Sequence, residues 1–224
     1  MKVLALDSST SRLSVALIRD SKSVCERELD TKAGHAGLIL SVIDEVLSES
    51  GTLRVEIGLV AVGTGPGSFT GIRIGLATAK GLATALGCPL AGIPTLDAMA
   101  KAALPSSLQI MPVVDAKKGE VFCALYDKNG SRLTDFMNRK PADLAGMVTE
   151  DTLFLGNGCE LYRDRFRNDL GGSYHEGPAA LWYAHASVIG IMALDMPQKS
   201  RPSDVLPIYV RASDATLLLQ KIRS

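Results

Sequence analysis

The chain has 224 residues, 46% of them hydrophobic, with 24 Lys and Arg against 24 Asp and Glu and a formal net charge of +0 at pH 7. That length suits one large domain or two small ones with a real apolar core. The balanced charge excludes a strongly basic body that would hold nucleic acid by bulk electrostatics.

The opening, MKVLALDSSTSRLSVAL, does not read as a signal peptide, because Asp7 and Arg12 interrupt the apolar run. No stretch reaches about 18 uninterrupted apolar residues, so no membrane contact is expected and the expected location is cytoplasmic. Val3 to Leu6 reads as a buried strand ending in turn chemistry, Asp7-Ser8-Ser9-Thr10. Leu13 to Ile18 and Val24 to Leu29 follow as strands around a tight turn at Asp20-Ser21-Lys22, which predicts an antiparallel meander.

His35 to Leu47 reads as a helix with Ile39, Val42, Ile43, Val46 and Leu47 at helical spacing, and Gly51 as its stop. Leu38 and Leu40 widen its apolar arc beyond what one sheet face requires. Leu59 to Val62 is a strand that runs into a glycine-rich turn, Gly63-Thr64-Gly65-Pro66-Gly67. Ser68 or Thr70 caps the long helix behind it. Ile72, Gly75, Leu76, Ala79, Leu82, Ala83 and Leu86 form one stripe of that helix. Two rows of small residues also run along it, Gly71-Gly75-Ala79 and Ala77-Gly81-Ala85. Each glycine costs about 1 kcal/mol of helix propensity against alanine. Two such rows therefore predict close packing on two sides, on the chain's own sheet and against something else.

Leu90 to Ile93 is a strand, Thr95 to Ala103 a helix, and Pro105-Ser106-Ser107 the best domain boundary. The second half then repeats the plan of the first. Gln109 to Val114 ends in Asp115, Val121 to Tyr126 follows, and Asp127-Lys128-Asn129-Gly130 turns into a returning strand, Ser131 to Met137. Leu153 to Leu155 is a later strand and Pro178 to Asp195 a helix. Ile208 to Val210 is an extended piece before a closing helix from Ser213 or Asp214. The doubled unit predicts an α/β chain of two ribonuclease H-like lobes, the architecture of actin- and hexokinase-like ATPases (ASKHA). The expected divisions are residues 1–104, 105–212 and a C-terminal helix, 213–224, packing back on the first lobe.

Several groups are candidates for chemistry. The turn at Gly63, Gly65, Gly67 and Ser68 is a candidate phosphate contact through backbone N–H groups and the helix dipole. It is not a P-loop, because Ile72-Arg73 follow Gly71 where Lys and Ser or Thr would be needed. Asp7 and Asp115 sit at equivalent strand ends, where two-lobed ATPases orient Mg²⁺ and water. Neither is followed at once by the glycine that lets backbone approach a phosphate. A metal helix beginning at His35 would want its second ligand at Ile39. His175 and His185 have no evident partners, and no serine sits in a GxSxG setting. Arg163, Arg165 and Arg167 read as a solvated face rather than an RNA contact. The four cysteines, Cys25, Cys88, Cys123 and Cys159, form no CxxC pair and read as reduced structural thiols.

GTGPGSFTGIRIGLATAKGLA, from Gly63 to Ala83, resembles the signature of the bacterial TsaB (YeaZ) family. Asp115 to Phe122 is similar to that family's D-A-R-x-G-E-V-Y segment. LALDSSTSRLSVAL looks like its first strands, and Pro207-Ile208-Tyr209-Val210-Arg211 like its P-x-Y-x-R ending. The resemblance spans the chain. It implies an ASKHA-type fold without catalysis of its own, similar to TsaD, the enzyme that completes threonylcarbamoyladenosine on tRNAs reading codons that begin with adenine. TsaD holds a metal through two histidines four apart on a helix. With Ile39 in the i+4 place, no metal is expected here, which disfavours the metalloprotease reading once attached to the family. The implied partners are TsaD as a heterodimer, TsaE in a larger complex, a second copy when alone, and tRNA indirectly. The isolated chain is expected to hold no cofactor, with ATP or ADP only in the complex. The interface residues projected are Leu38, Ile39, Val42 and Ile43 on one helix, and Thr70, Ile74 and Ala77 on the other. The alternative is a small ASKHA-type ATPase or phosphotransferase.

Overall fold

The computed structural model describes residues 1–30, 37–196 and 200–211. Its first sheet begins with a meander, β1 (Lys2–Asp7), β2 (Arg12–Arg19) and β3 (Lys22–Asp30). Asp20 and Ser21 both have positive φ in the two-residue turn between β2 and β3, the geometry that matches strand twist. Then come α1 (Ile39–Glu49), β4 (Ile57–Gly63), α2 (Phe69–Leu86), β5 (Leu90–Ile93) and α3 (Thr95–Ala102). The strand order is β3-β2-β1-β4-β5, with β4 and β5 parallel to β1.

The second half contains β6 (Gln109–Lys117), β7 (Glu120–Cys123), β8 (Met137–Arg139), β9 (Thr152–Leu155), α4 (Gly158–Leu170), β10 (Tyr174–Glu176) and α5 (Ala186–Asp195). Its sheet runs β10-β9-β6-β7-β8. Each sheet is an antiparallel meander extended by two parallel strands, and the two match strand for strand. The expected duplication is therefore present.

Three apolar layers hold the molecule. One lies between the sheets and includes Val3, Ala5 and Ile18 of the first, Val114 and Phe122 of the second, and residues of α3 and α5. The second lies on the other face of the first sheet, under α1 and α2. The third lies under α4 on the far face of the second sheet.

Three expectations need correction. The return strand from Ser131 is interrupted: Arg132 makes a single bridge with Tyr126 through Leu125 O and Asp127 N, and regular pairing with β7 begins only at Met137, the start of β8. The helix from Pro178 begins only at Ala186. His185 is extended at φ −91°, and the N–H groups of Ala186 and Ser187 donate to Ser14 Oγ and Glu26 Oε1 of the first sheet. Helix α4 and strand β10 were not expected. The sequence of α4 is highly polar and buries Gly158, Cys159 and Phe166, so its apolar period is faint. Helix α5, which falls in the expected division 105–212, lies on the first sheet with Gly190 against Ile18 and Ala5. The closing helix expected from Ser213 lies outside the described residues. Among those residues, no helix is long and apolar enough to cross a membrane.

Candidate functional site

Helix α2 and the turn before it form the centre of the first lobe. Ser68 caps the helix by accepting from Gly71 N at 3.2 Å, so Thr70 is not the cap. The Gly65–Pro66 peptide is cis, and Gly65 has φ +94°. The turn after β1 lies directly against this segment. A side chain at Gly67 or Gly71 would overlap the carbonyl oxygens of Ser9 and Ser8, and one at Gly63 would overlap the Asp7 carboxylate. The glycines are there for that close approach. The donors of the turn are used within the chain: Gly65 N on Thr95 Oγ1 at 3.1 Å, and Ser68 N on Ser9 O at 2.6 Å. The candidate phosphate cradle at Gly63, Gly65, Gly67 and Ser68 thus has its main donors committed to the β1–β2 turn and α3.

Asp7 is 1% exposed. Its Oδ1 accepts from Ser9 N at 3.0 Å and Ser9 Oγ at 2.8 Å, and its Oδ2 lies 3.3 Å from Thr95 Oγ1. This is a satisfied buried carboxylate, closed in by Gly63. Asp115 differs from it. Its Oδ1 accepts from Lys117 N at 2.8 Å, its Oδ2 pairs with Lys117 Nζ at 2.7 Å, and it lines the space between the lobes.

That space is a cleft of about 620 Å³. The start of α2 forms one wall, the turn after β6 another, and the segment Ile208–Arg211 crosses it. Ile208 N donates to Thr64 O on the first lobe, and Arg211 Nη1 reaches Glu120 Oε2 at 2.9 Å on the second. Arg73 lies with its guanidinium 3.8 Å from the Phe69 ring centroid and donates through Nε to Tyr209 Oη at 2.8 Å. Sequence reasoning missed this constellation. Its only signal was the pairing of the long glycine-rich signature with the Pro-x-Tyr-x-Arg ending.

The projected interface residues fall into two groups. Ile39, Val42 and Ile43 are 2%, 1% and 2% exposed in the core under α1. Their side chains meet the chain's own sheet, because the α1 stripe that repeats at helical spacing is the face that covers β2 and α2. They are corrected from partner contacts to core residues. Leu38 at 41% and Leu40 at 57% are exposed beside them. On α2, Gly71, Gly75 and Ala79 face the sheet, while Thr70, Ala77, Gly81 and Ala85 are exposed and Ile74 is half-buried.

His35 lies outside the described residues, so the metal reading there has no geometry. Among the described residues Glu26, Glu28 and His185 bring ligand atoms within 4.8 Å of one another. These groups already have partners: Ser14 Oγ and Ser187 N on Glu26, and Arg12 and His185 on Glu28. His175 lies 3.7 Å from Asp151. Arg163 and Arg167 share Glu176, and Arg165 pairs with Asp169, so each of the three arginines has a carboxylate partner within the chain. All four cysteines are free and buried, and burial pushes the Cys123 and Cys159 thiols up to about 12, away from the reactive range.

Comparison with known proteins adds to this geometry. The family model described as TsaD, tRNA N6-adenosine threonylcarbamoyltransferase, matches residues 29–181. The tRNA threonylcarbamoyladenosine biosynthesis protein TsaB of Haemophilus influenzae is 31% identical over 227 residues, covering 94% of each chain. TsaB of Bacillus subtilis is 28% identical over 221 residues, covering 96% of each. Among solved structures, YeaZ from Pseudomonas aeruginosa superposes with a TM-score of 0.77 at 24% identity, over 93% of this chain and 99% of that one. The 2-hydroxyglutaryl-CoA dehydratase component A of Acidaminococcus fermentans does so with a TM-score of 0.55 at 13% identity, over 87% of this chain and 98% of that one. It shares the two-lobed fold.

Proposed function

The chain belongs to the TsaB (YeaZ) family, and from that premise we propose that it serves tRNA threonylcarbamoyladenosine biosynthesis as a non-catalytic subunit that binds TsaD. The supporting observation is the outer face of α2. Its inner row of small residues meets the chain's own sheet, while Thr70, Ala77, Gly81 and Ala85 stay exposed beside Leu38 and Leu40 of the neighbouring helix. Small residues let a second helix backbone approach closely, and an exposed apolar face of this kind marks an interaction site. Catalytic silence is supported by Asp7, whose carboxylate is spent on Ser9 and Thr95.

In this reading the subunit pairs with itself when alone and exchanges to a TsaD heterodimer. TsaE joins the larger assembly, nucleotide enters only there, and tRNA is met indirectly. The rival reading, a small ATPase or phosphotransferase, needs Asp7 to reach a nucleotide, and its burial argues against that.

Size-exclusion chromatography with light scattering tests the proposal, on this chain alone and mixed with TsaD from the same cell. A homodimer that exchanges to a heterodimer supports it. Indifference to TsaD overturns it.

A further inference from the structure

We propose that Glu26, Glu28 and His185 form a binding site for one divalent metal ion of the zinc class, which fastens α5 to the edge of the first sheet. This goes beyond the partner reading and does not depend on it.

Glu26 and Glu28 lie two apart on β3, so strand alternation puts both carboxylates on one face. His185 is the N-cap of α5 and comes from the other half of the chain. Among the described residues this is the one place where three His, Cys, Asp or Glu side chains bring ligand atoms within 4.8 Å of one another. Ligand atoms around a zinc ion stand roughly 3.4 Å apart, from bond lengths of about 2.1 Å. Small side-chain rotations close the set.

The surroundings of the ring supply a second argument. His185 Nε2 stands 2.7 Å from Ala180 O, which only accepts, so Nε2 carries a proton. Nδ1 stands 2.7 Å from Glu28 Oε1, which also accepts. In the neutral ring two lone pairs would face each other across that gap, and a positive species has to lie between them. A proton fills the place, and so does a metal ion, the Nδ1 proton then leaving to solvent. A histidine whose other ring nitrogen donates to a backbone carbonyl is in the arrangement that orients imidazole toward a metal.

The existing partners hold the carboxylates without closing the site. Ser14 Oγ and Ser187 N both donate to Glu26 Oε1, and neither bond uses Oε2. Arg12 meets Glu28 through the other oxygen, Oε2, and is shared with Asp30. With a neutral imidazole, the carboxylates of Glu26, Glu28 and Asp30 outweigh Arg12 by two charges, which one divalent cation balances. An imidazole nitrogen with two carboxylates suits zinc better than magnesium, which prefers oxygen ligands and keeps its waters. The His185 and Glu28 side chains are 23% and 27% exposed, so an ion can enter and water can complete its coordination. Because the ligands come together only on folding, the ion stabilises the folded chain.

The test uses the full chain alone, stripped with chelator, near pH 7.5. Zn²⁺ is titrated by calorimetry, and Co²⁺, its coloured surrogate, by visible absorption. The expected result is saturable micromolar binding of one ion per chain, a Co²⁺ ligand-field spectrum, and a melting temperature raised by Zn²⁺ but not by Mg²⁺. Glu26→Gln and His185→Gln should each weaken binding at least about tenfold and remove the thermal shift. His35→Gln and His175→Gln should bind as the parent does. Should His185→Gln fail to fold, Glu26→Gln decides, since it keeps the bond between His185 and Glu28. Absence of saturable Zn²⁺ binding, a folded Glu26→Gln variant that binds as tightly as the parent, or loss of binding in His35→Gln or His175→Gln overturns the proposal.

Discussion

His185 Nδ1 stands 2.7 Å from Glu28 Oε1, and its Nε2 stands 2.7 Å from Ala180 O. Both ring nitrogens face acceptors, so the imidazolium satisfies both at once. Glu28 also meets Arg12 at 3.3 Å, and Glu26 reaches the same helix start through Ser187 N. These contacts fasten α5, from the second half of the chain, to the edge of the first sheet.

A pH dependence follows. The hydrogen bond to Glu28 raises the His185 pKa, and the same bond holds the Glu28 carboxyl below its ordinary value. A raised histidine contributes stability that is complete below its unfolded value of about 6.5 and is lost as pH rises through the folded value. A lowered carboxyl contributes stability that is complete above its unfolded value and is lost as pH falls. Stability should therefore peak near about pH 5–6 and decline toward pH 8. Urea midpoints across that range measure it. His185→Gln should flatten the upper limb and cost about 1.5 kcal/mol at the peak, the scale of one charged hydrogen bond. An unchanged limb in the variant would count against the clasp.

Two glycines on one helix should respond oppositely to alanine. A side chain at Gly71 would overlap Ser8 O, whereas Gly81 has open space around it. Gly81→Ala should stabilise by about 1 kcal/mol from helix propensity. Gly71→Ala should lose stability despite the same gain, because backbone must shift. Thermal melts of the pair decide this.

Asp7→Ala should act on the fold. It strands Ser9 N and Ser9 Oγ in a buried place, at about 1–3 kcal/mol for each group left unpaired. The expected outcome is a loss of about 2–4 kcal/mol in denaturant unfolding. A fully stable variant that had instead lost affinity for Mg-ATP would favour the ATPase reading.

The two faces of the α1–α2 layer should separate binding from stability. Ile43→Ala removes a side chain that is 2% exposed and should cost about 2–5 kcal/mol in unfolding. Ala77→Arg lies on the exposed row of α2. It should change stability by less than about 0.5 kcal/mol while weakening TsaD association at least tenfold, and Ile74→Asp should also weaken it. Unfolding curves and an association titration on the same samples check both halves.

Much of the fold was legible in the residues. Asp20-Ser21 and Asp127 to Gly130 are turns because their chemistry favours turning, and Ser68 caps α2 because a short hydroxyl reaches a free N–H. Helix α4 was illegible because its ion pairs, such as Arg163 with Glu176, replace an apolar stripe as its visible feature. The break before α5 was illegible because the acceptors of its first N–H groups, Ser14 and Glu26, lie 172 and 161 residues away.

By itself the sequence determined the doubled plan, the aspartates at matching strand ends, and two rows of small residues along α2. Periodicity is a local property, and it states which residues share a face. It does not state what that face meets. Only the tertiary structure decided that Gly71 and Gly75 press on β1 and its turn, with Ala79 buried on the same side, while Ala77, Gly81 and Ala85 face outward. The same holds for Ile39, Val42 and Ile43, which entered the core, and for Arg73 and Tyr209, which meet across 136 residues. Those outcomes depend on which sheet edge each returning segment covers, and that choice is made by packing the whole chain at once.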